Sequence, residues 1–114
     1  MMDWDEGDVM SAFEAIPVIE DEDGVEVSFT TEVAPIRVRL TVWPYHPQIA
    51  VTLYGGEVAI FESGIVECDR LVRHRSPEGA EELDVRSEGR SVLVIKLRPW
   101  IQVAIRSHRV WYKA

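Results

Sequence analysis

The chain has 114 residues, 46% of them hydrophobic and 28% charged, and a formal net charge of -8. This length and composition predict one globular domain, residues 1–114, and argue against a disordered or collagen-like chain. No apolar run is long enough to span a bilayer, the first residues are acidic, and the single cysteine, Cys68, has no partner for an internal disulfide. We therefore expect a cytoplasmic protein with no membrane segment.

The charges are unevenly distributed along the chain. Residues 1–34 hold 11 acids and no base, whereas residues 35–114 hold 12 bases and 9 acids. An acidic protein repels nucleic acid at long range, so nucleic acid is not the expected partner. A basic protein is the partner that this charge favours.

Residues 1–17 form an acidic N-terminal segment that predicts a short helix. Val9, Phe13 and Ile16 are spaced for one helical face, together with Met10, and Pro17 can end the helix. Acids in the first turn suit the positive end of the helix dipole. The alternative is a flexible acidic leader of which only Phe13 and its neighbours pack.

From residue 25 onward, apolar and polar residues alternate, which predicts strands with one face in a core. The stretch IVECDRLV loses its alternation near Asp69, which predicts a bulge or a bend. Many short strands without intervening long helices favour an antiparallel all-β domain over residues 25–114, a β-sandwich or a closed barrel. The predicted core includes Leu40, Val51, Val94, Ile95 and Val103.

Two hairpins are predicted from matching apolar registers. A turn at Gly55-Gly56 would place Leu53 opposite Val58, because glycine tolerates the positive φ of a tight turn. A second turn at Ser107-His108 would join the last two strands. That pair lacks the glycine or asparagine that a tight turn prefers.

No pattern of catalytic, cofactor-binding or metal-ligating residues is present in the sequence. The three histidines are far apart and lack the close spacing of a metal site, and Cys68 is predicted to be a buried structural thiol. We find no nucleophile signature and no phosphate-binding loop. The sequence therefore predicts a protein that is not an enzyme and that carries no cofactor or metal.

The leading functional hypothesis is a small acidic binding module that engages a basic protein partner, as an inhibitor, an immunity factor or an adaptor. The predicted contact residues cluster at one turn, and opposite charges speed association. They are Glu20, Asp21, Glu22 and Asp23. An unpaired edge strand would also allow a homodimer.

Two alternatives use other surfaces. Outward aromatic rings could stack on a sugar or another small ligand, and a basic C-terminal hairpin could bind an anion or single-stranded nucleic acid. The aromatic set is Trp43, Tyr54 and Trp111, and the basic set is Arg106, Arg109 and Lys113 beside Trp111. These bases could instead be covered by the acidic N-terminal third of the chain.

Overall fold

A computed structural model describes residues 1–20 and 25–106 of the chain. Over these residues the protein has one helix, α1 (Glu6–Phe13), followed by antiparallel strands. The strands are β1 (Val18–Ile19), β2 (Val27–Val33), β3 (Ile36–Trp43), β4 (Gln48–Gly55), β5 (Val58–Glu62), β6 (Val66–Glu67), β7 (Arg70–Arg75), β8 (Glu81–Ser87), β9 (Arg90–Arg98) and β10 (Gln102–Ile105).

The strands form two sheets that share one hydrophobic core. The larger sheet has the order β1-β2-β3-β4-β5, with β6 also paired to β4, and the smaller sheet has the order β10-β9-β8-β7. Apolar side chains from the inner faces of both sheets fill the space between them. This confirms the predicted antiparallel all-β fold, as a sandwich with one short N-terminal helix.

The period-two alternation predicted the inner face of β3 in the larger sheet correctly. Val38, Leu40 and Val42 on β3 are fully buried, and the residues between them lie on the outer face. In the smaller sheet one core assignment was wrong. Ile95 is fully buried, but Val94 pairs with Asp84 on the outer face and is only half-buried.

The remaining core predictions have different outcomes. Val51 is fully buried, as predicted. Val103 on β10 is half-buried and packs against the core without lying inside it. In the described part of the chain β10 has a paired strand on one side only, so Val103 has fewer neighbours than Ile95.

Helix α1 packs its apolar face against the sandwich core. Asp5 caps its N-terminus, where the Asp8 N–H donates to Oδ1 at 3.0 Å. Val9, Ala12 and Phe13 are buried, and the Phe13 ring lies 5.9 Å from that of Phe29 on β2. Ile16, predicted to continue this face, is exposed because the helix ends at Phe13.

The hairpin between β4 and β5 has a different register from the predicted one. Gly55 belongs to β4 and pairs with Val58, so the turn is Gly56-Glu57, with a positive φ of 64° at Gly56. A bulge after Leu53 then aligns that residue with Phe61, so that both side chains pack against the core. The predicted pairing of Leu53 with Val58 was wrong, and Val58 is exposed.

The break in alternation near Asp69 marks a passage between the sheets. Strand β6 pairs with β4 in the larger sheet, and β7 begins at Arg70 in the smaller sheet. Cys68, between them, is buried as predicted. The second predicted hairpin, at Ser107-His108, lies outside the described residues.

Candidate protein interface

The predicted acidic contact site begins at Glu20, directly after β1. One Glu20 oxygen, Oε1, accepts hydrogen bonds from the Ser28 hydroxyl and from Arg39 Nη2, each at 2.9 Å. These contacts hold Glu20, which follows the edge strand β1, against the outer face of β2 and β3. The Glu20 carboxylate is thus engaged within the chain, and Asp21, Glu22 and Asp23 lie outside the described residues.

Other N-terminal acids pair with bases of the smaller sheet. Asp3 Oδ2 lies 3.5 Å from Arg70 Nε, and Glu14 Oε1 lies 3.0 Å from Arg98 Nη2. Exposed pairs of this kind contribute about 0–1 kcal/mol. They nevertheless show that part of the acidic N-terminal third neutralises the β-sheet arginines.

Of the predicted basic C-terminal surface, only Arg106 lies in the described residues. It is exposed, and its backbone N–H donates to the carbonyl oxygen of Val92 at 2.8 Å, which continues the pairing of β9 and β10. Arg109, Trp111 and Lys113 lie outside the described residues.

Trp43 and Tyr54 lie on the outer face of the larger sheet, as predicted, but at opposite ends of it. Trp43 pairs with Gln48 and Tyr54 pairs with Arg37, six residues away along β3, which is about 20 Å at ~3.3 Å per residue. Both side chains already have partners. Trp43 Nε1 donates to Glu26 Oε1 at 2.9 Å, and Arg37 Cζ lies 4.5 Å from the Tyr54 ring centroid.

A buried ion pair lies at the end of the core near α1. Arg73 of β7 donates two hydrogen bonds to Glu81 of β8, one of them from Nε to Oε2 at 3.0 Å. These bonds hold the pKa of the Glu81 carboxyl below its ordinary value, although burial opposes the shift. Arg98, which pairs with Glu81 across β8 and β9, donates to the Ala12 carbonyl at 3.0 Å and so attaches the end of α1 to the smaller sheet.

The described residues hold no group of three or more His, Cys, Asp or Glu side chains arranged to bind a metal ion. Burial, and secondarily the charge of Asp69, raises the pKa of the Cys68 thiol to about 12, so it is protonated at neutral pH. Over these residues there is also no helix with the length and hydropathy to span a membrane.

A second acidic surface, which the sequence analysis missed, lies along β5. Residues 40–69 contain no lysine or arginine, and in this stretch Glu57, Glu62 and Glu67 are exposed. Their carboxylates take part in none of the ion pairs formed among the described residues. The absence of bases over this stretch was the signal in the sequence, and the wrong hairpin register concealed which side chains lie beside these acids.

No protein-family model and no curated protein matches the chain. Its fold is similar to that of a chain in a solved structure, the contact-dependent growth inhibition toxin–immunity protein complex from Klebsiella pneumoniae 342. The TM-score is 0.72 at 17% sequence identity, and the similarity covers 92% of this chain and 96% of that chain. At this identity the likeness shows a shared fold.

Proposed function

We propose that the protein is a non-enzymatic inhibitor of the immunity type, which binds a basic toxin-like protein and blocks it by covering its surface. The observation that carries the proposal is the similarity, over nearly the whole of both chains, to a chain from a toxin–immunity protein complex. Fold alone does not define function, so the charges of this chain supply the second part of the argument.

The net charge of -8 supports a basic partner. A surface of one sign attracts a partner of the opposite sign and raises the association rate, which benefits an inhibitor that must bind before its target acts. The acids of β5 and its flanks are free of the ion pairs described above, so they can face such a partner. Asp21, Glu22 and Asp23 are proposed as further contacts, with Glu20 at the edge of that group.

The experiment is affinity capture from a lysate of the source organism, followed by identification of the bound protein. The proposal predicts a basic protein that stops growth when it is expressed alone and loses this effect when the present chain is co-expressed. A variant with Asp21→Asn, Glu22→Gln and Asp23→Asn tests whether the acids of the predicted turn contribute to binding of the captured protein. If the captured protein is harmless, or if co-expression leaves growth arrested, the immunity role is wrong.

A further inference from the structure

Strand β5 has a free, apolar edge. It pairs with β4 on one side, and no strand of the described part of the chain lies on its other side. Val58 and Ile60 are 67% and 55% exposed, and Ile65, in the segment that follows, is 63% exposed. Exposed apolar residues on an unpaired strand form a template on which another strand can pair.

The exposure follows from the hairpin geometry. The turn at Gly56-Glu57 and the bulge opposite Leu53 direct Phe61 against the core and leave Ile60 unmatched in the ladder. β5 is therefore held by its backbone pairing with β4 and packs against the core through Phe61. Val58 and Ile60 contribute little to the core, and neighbouring exposed apolar side chains are typical of interaction surfaces.

Three exposed glutamates lie on the same side of β4 as this apolar edge. Glu57 precedes β5, Glu62 ends it, and Glu67 lies on β6, the next strand on the same side of β4. Pairing of two copies through β5 would bring six carboxylates to one interface, which like-charge repulsion disfavours. The occupant that matches this edge has apolar side chains flanked by lysine or arginine.

We propose that the free edge of β5, with Ile65, is the docking surface on which a basic partner adds an extended segment as a further strand. Backbone hydrogen bonds to β5 would supply affinity, and the glutamates would select lysine and arginine beside the apolar contacts. This assignment deepens the proposed function and rests on it for the identity of the partner as a toxin-like protein.

The first test uses a synthetic probe and does not need the natural partner. A blocked peptide of alternating lysine and valine is titrated into isotope-labelled protein, and amide chemical shifts are followed by NMR. We expect shifts concentrated in residues 58–65. A peptide with glutamate in place of lysine, and one with a central proline, should cause little change. Absence of binding, or shifts centred elsewhere, would overturn the docking surface.

The second test compares two lysine substitutions at exposed isoleucines on opposite edges of the larger sheet. Ile60→Lys places a charge on the β5 edge, whereas Ile19→Lys does the same on β1, where Ile19 is 60% exposed. Binding of the lysine–valine peptide should weaken at least about tenfold in Ile60→Lys and remain within about twofold in Ile19→Lys. Equal affinities would contradict the assignment.

Ile60→Lys could weaken peptide binding by unfolding the protein, so a second variant changes only the charge beside β5. Glu57→Gln with Glu62→Gln changes only exposed side chains, so the circular dichroism spectrum and the thermal midpoint should be preserved. The affinity for the lysine–valine peptide should fall severalfold, and an unchanged affinity would refute the role of these two glutamates in selecting a basic partner.

The docking surface and the proposed function can fail separately. If the captured toxin-like protein binds Ile60→Lys and Ile19→Lys equally well, the immunity role is supported and the β5 edge is not the docking surface. If the peptide maps to β5 but no toxin-like protein is captured, the surface stands and the immunity role fails.

Discussion

Removal of Arg73 tests how the end of the core near α1 is held together. Arg73 and Glu81 are 21% and 7% exposed at their side chains, so the pair is largely shielded from water. Arg73→Met keeps most of the side-chain volume but leaves the Glu81 carboxylate without its two hydrogen bonds. The variant therefore isolates the cost of an unpaired buried charge.

The decrease in the free energy of unfolding caused by Arg73→Met can be estimated from the geometry of the pair. Removing one partner from a fully buried ion pair costs about 3–5 kcal/mol. Arg73 keeps some exposure, and Arg75 Nε remains 4.0 Å from Glu81 Oε1, so part of the loss is compensated. We expect Arg73→Met to lower the free energy of unfolding by about 2–3 kcal/mol at pH 7. The double variant Arg73→Met with Glu81→Met should recover much of the lost stability, because neither residue of the pair is then charged.

The loss should also depend on pH. The pKa of Glu81 is lowered in the folded protein, chiefly by hydrogen bonds from Arg73, so its stabilising contribution is fully present above the unfolded pKa of about 4.3. It is lost as the pH falls through the lower folded pKa. The difference in unfolding free energy between wild type and Arg73→Met should be largest near pH 7 and should narrow in acid, as Glu81 becomes protonated first in the variant and then in the wild type.

Urea unfolding followed by circular dichroism measures both effects, provided that the denaturant slope is unchanged. A difference in unfolding free energy between wild type and Arg73→Met below about 0.5 kcal/mol at pH 7 would refute this account of the pair, as would a difference that does not narrow in acid.

Three further predictions follow from burial and backbone geometry. In urea unfolding, Ile95→Ala should lower the free energy of unfolding by about 2–4 kcal/mol and Val94→Ala by less than about 1 kcal/mol, because only Ile95→Ala opens a core cavity. Equal decreases would contradict the assignment of Ile95 to the inner face and Val94 to the outer face. Cys68 should react with a thiol reagent many times more slowly in native protein than in urea, and equal absorbance traces would contradict its burial and raised pKa. Gly56→Ala should destabilise the hairpin by about 1 kcal/mol in thermal unfolding, because of the positive φ, while the control Gly55→Ala should cost less.

Strand β3 of the larger sheet could be predicted because it has one buried face and one more open face. Along β3, alternation identified Val38, Leu40 and Val42 as inward, since a strand has period two wherever one face is covered. The same reasoning failed at Val94. A continuous apolar run such as VLVI on β9 carries no alternation, so pattern alone cannot say which side faces the core.

The net charge of -8 is visible in the sequence, but the position of the β5 surface could not be predicted from it. Two adjacent glycines at 55 and 56 allow the turn to begin at either residue, which shifts the pairing by two residues, and the one-residue bulge after Leu53 then reverses the faces of the β5 residues that follow it. The bulge that brings Phe61 inward depends on the core of the folded sandwich. Whether Ile60 is exposed was therefore decided by tertiary packing.

The salt dependence of binding to the captured partner tests the central claim most directly. The dissociation constant is measured by calorimetry from about 0.1 M to about 1 M salt, over which the Debye length falls from about 10 Å to about 3 Å. An acidic inhibitor of a basic toxin-like protein should bind at least about tenfold more weakly at the higher salt, and neutralising Glu57 and Glu62 should flatten this dependence. A partner that is not basic, or a dissociation constant unchanged in molar salt, would contradict the account.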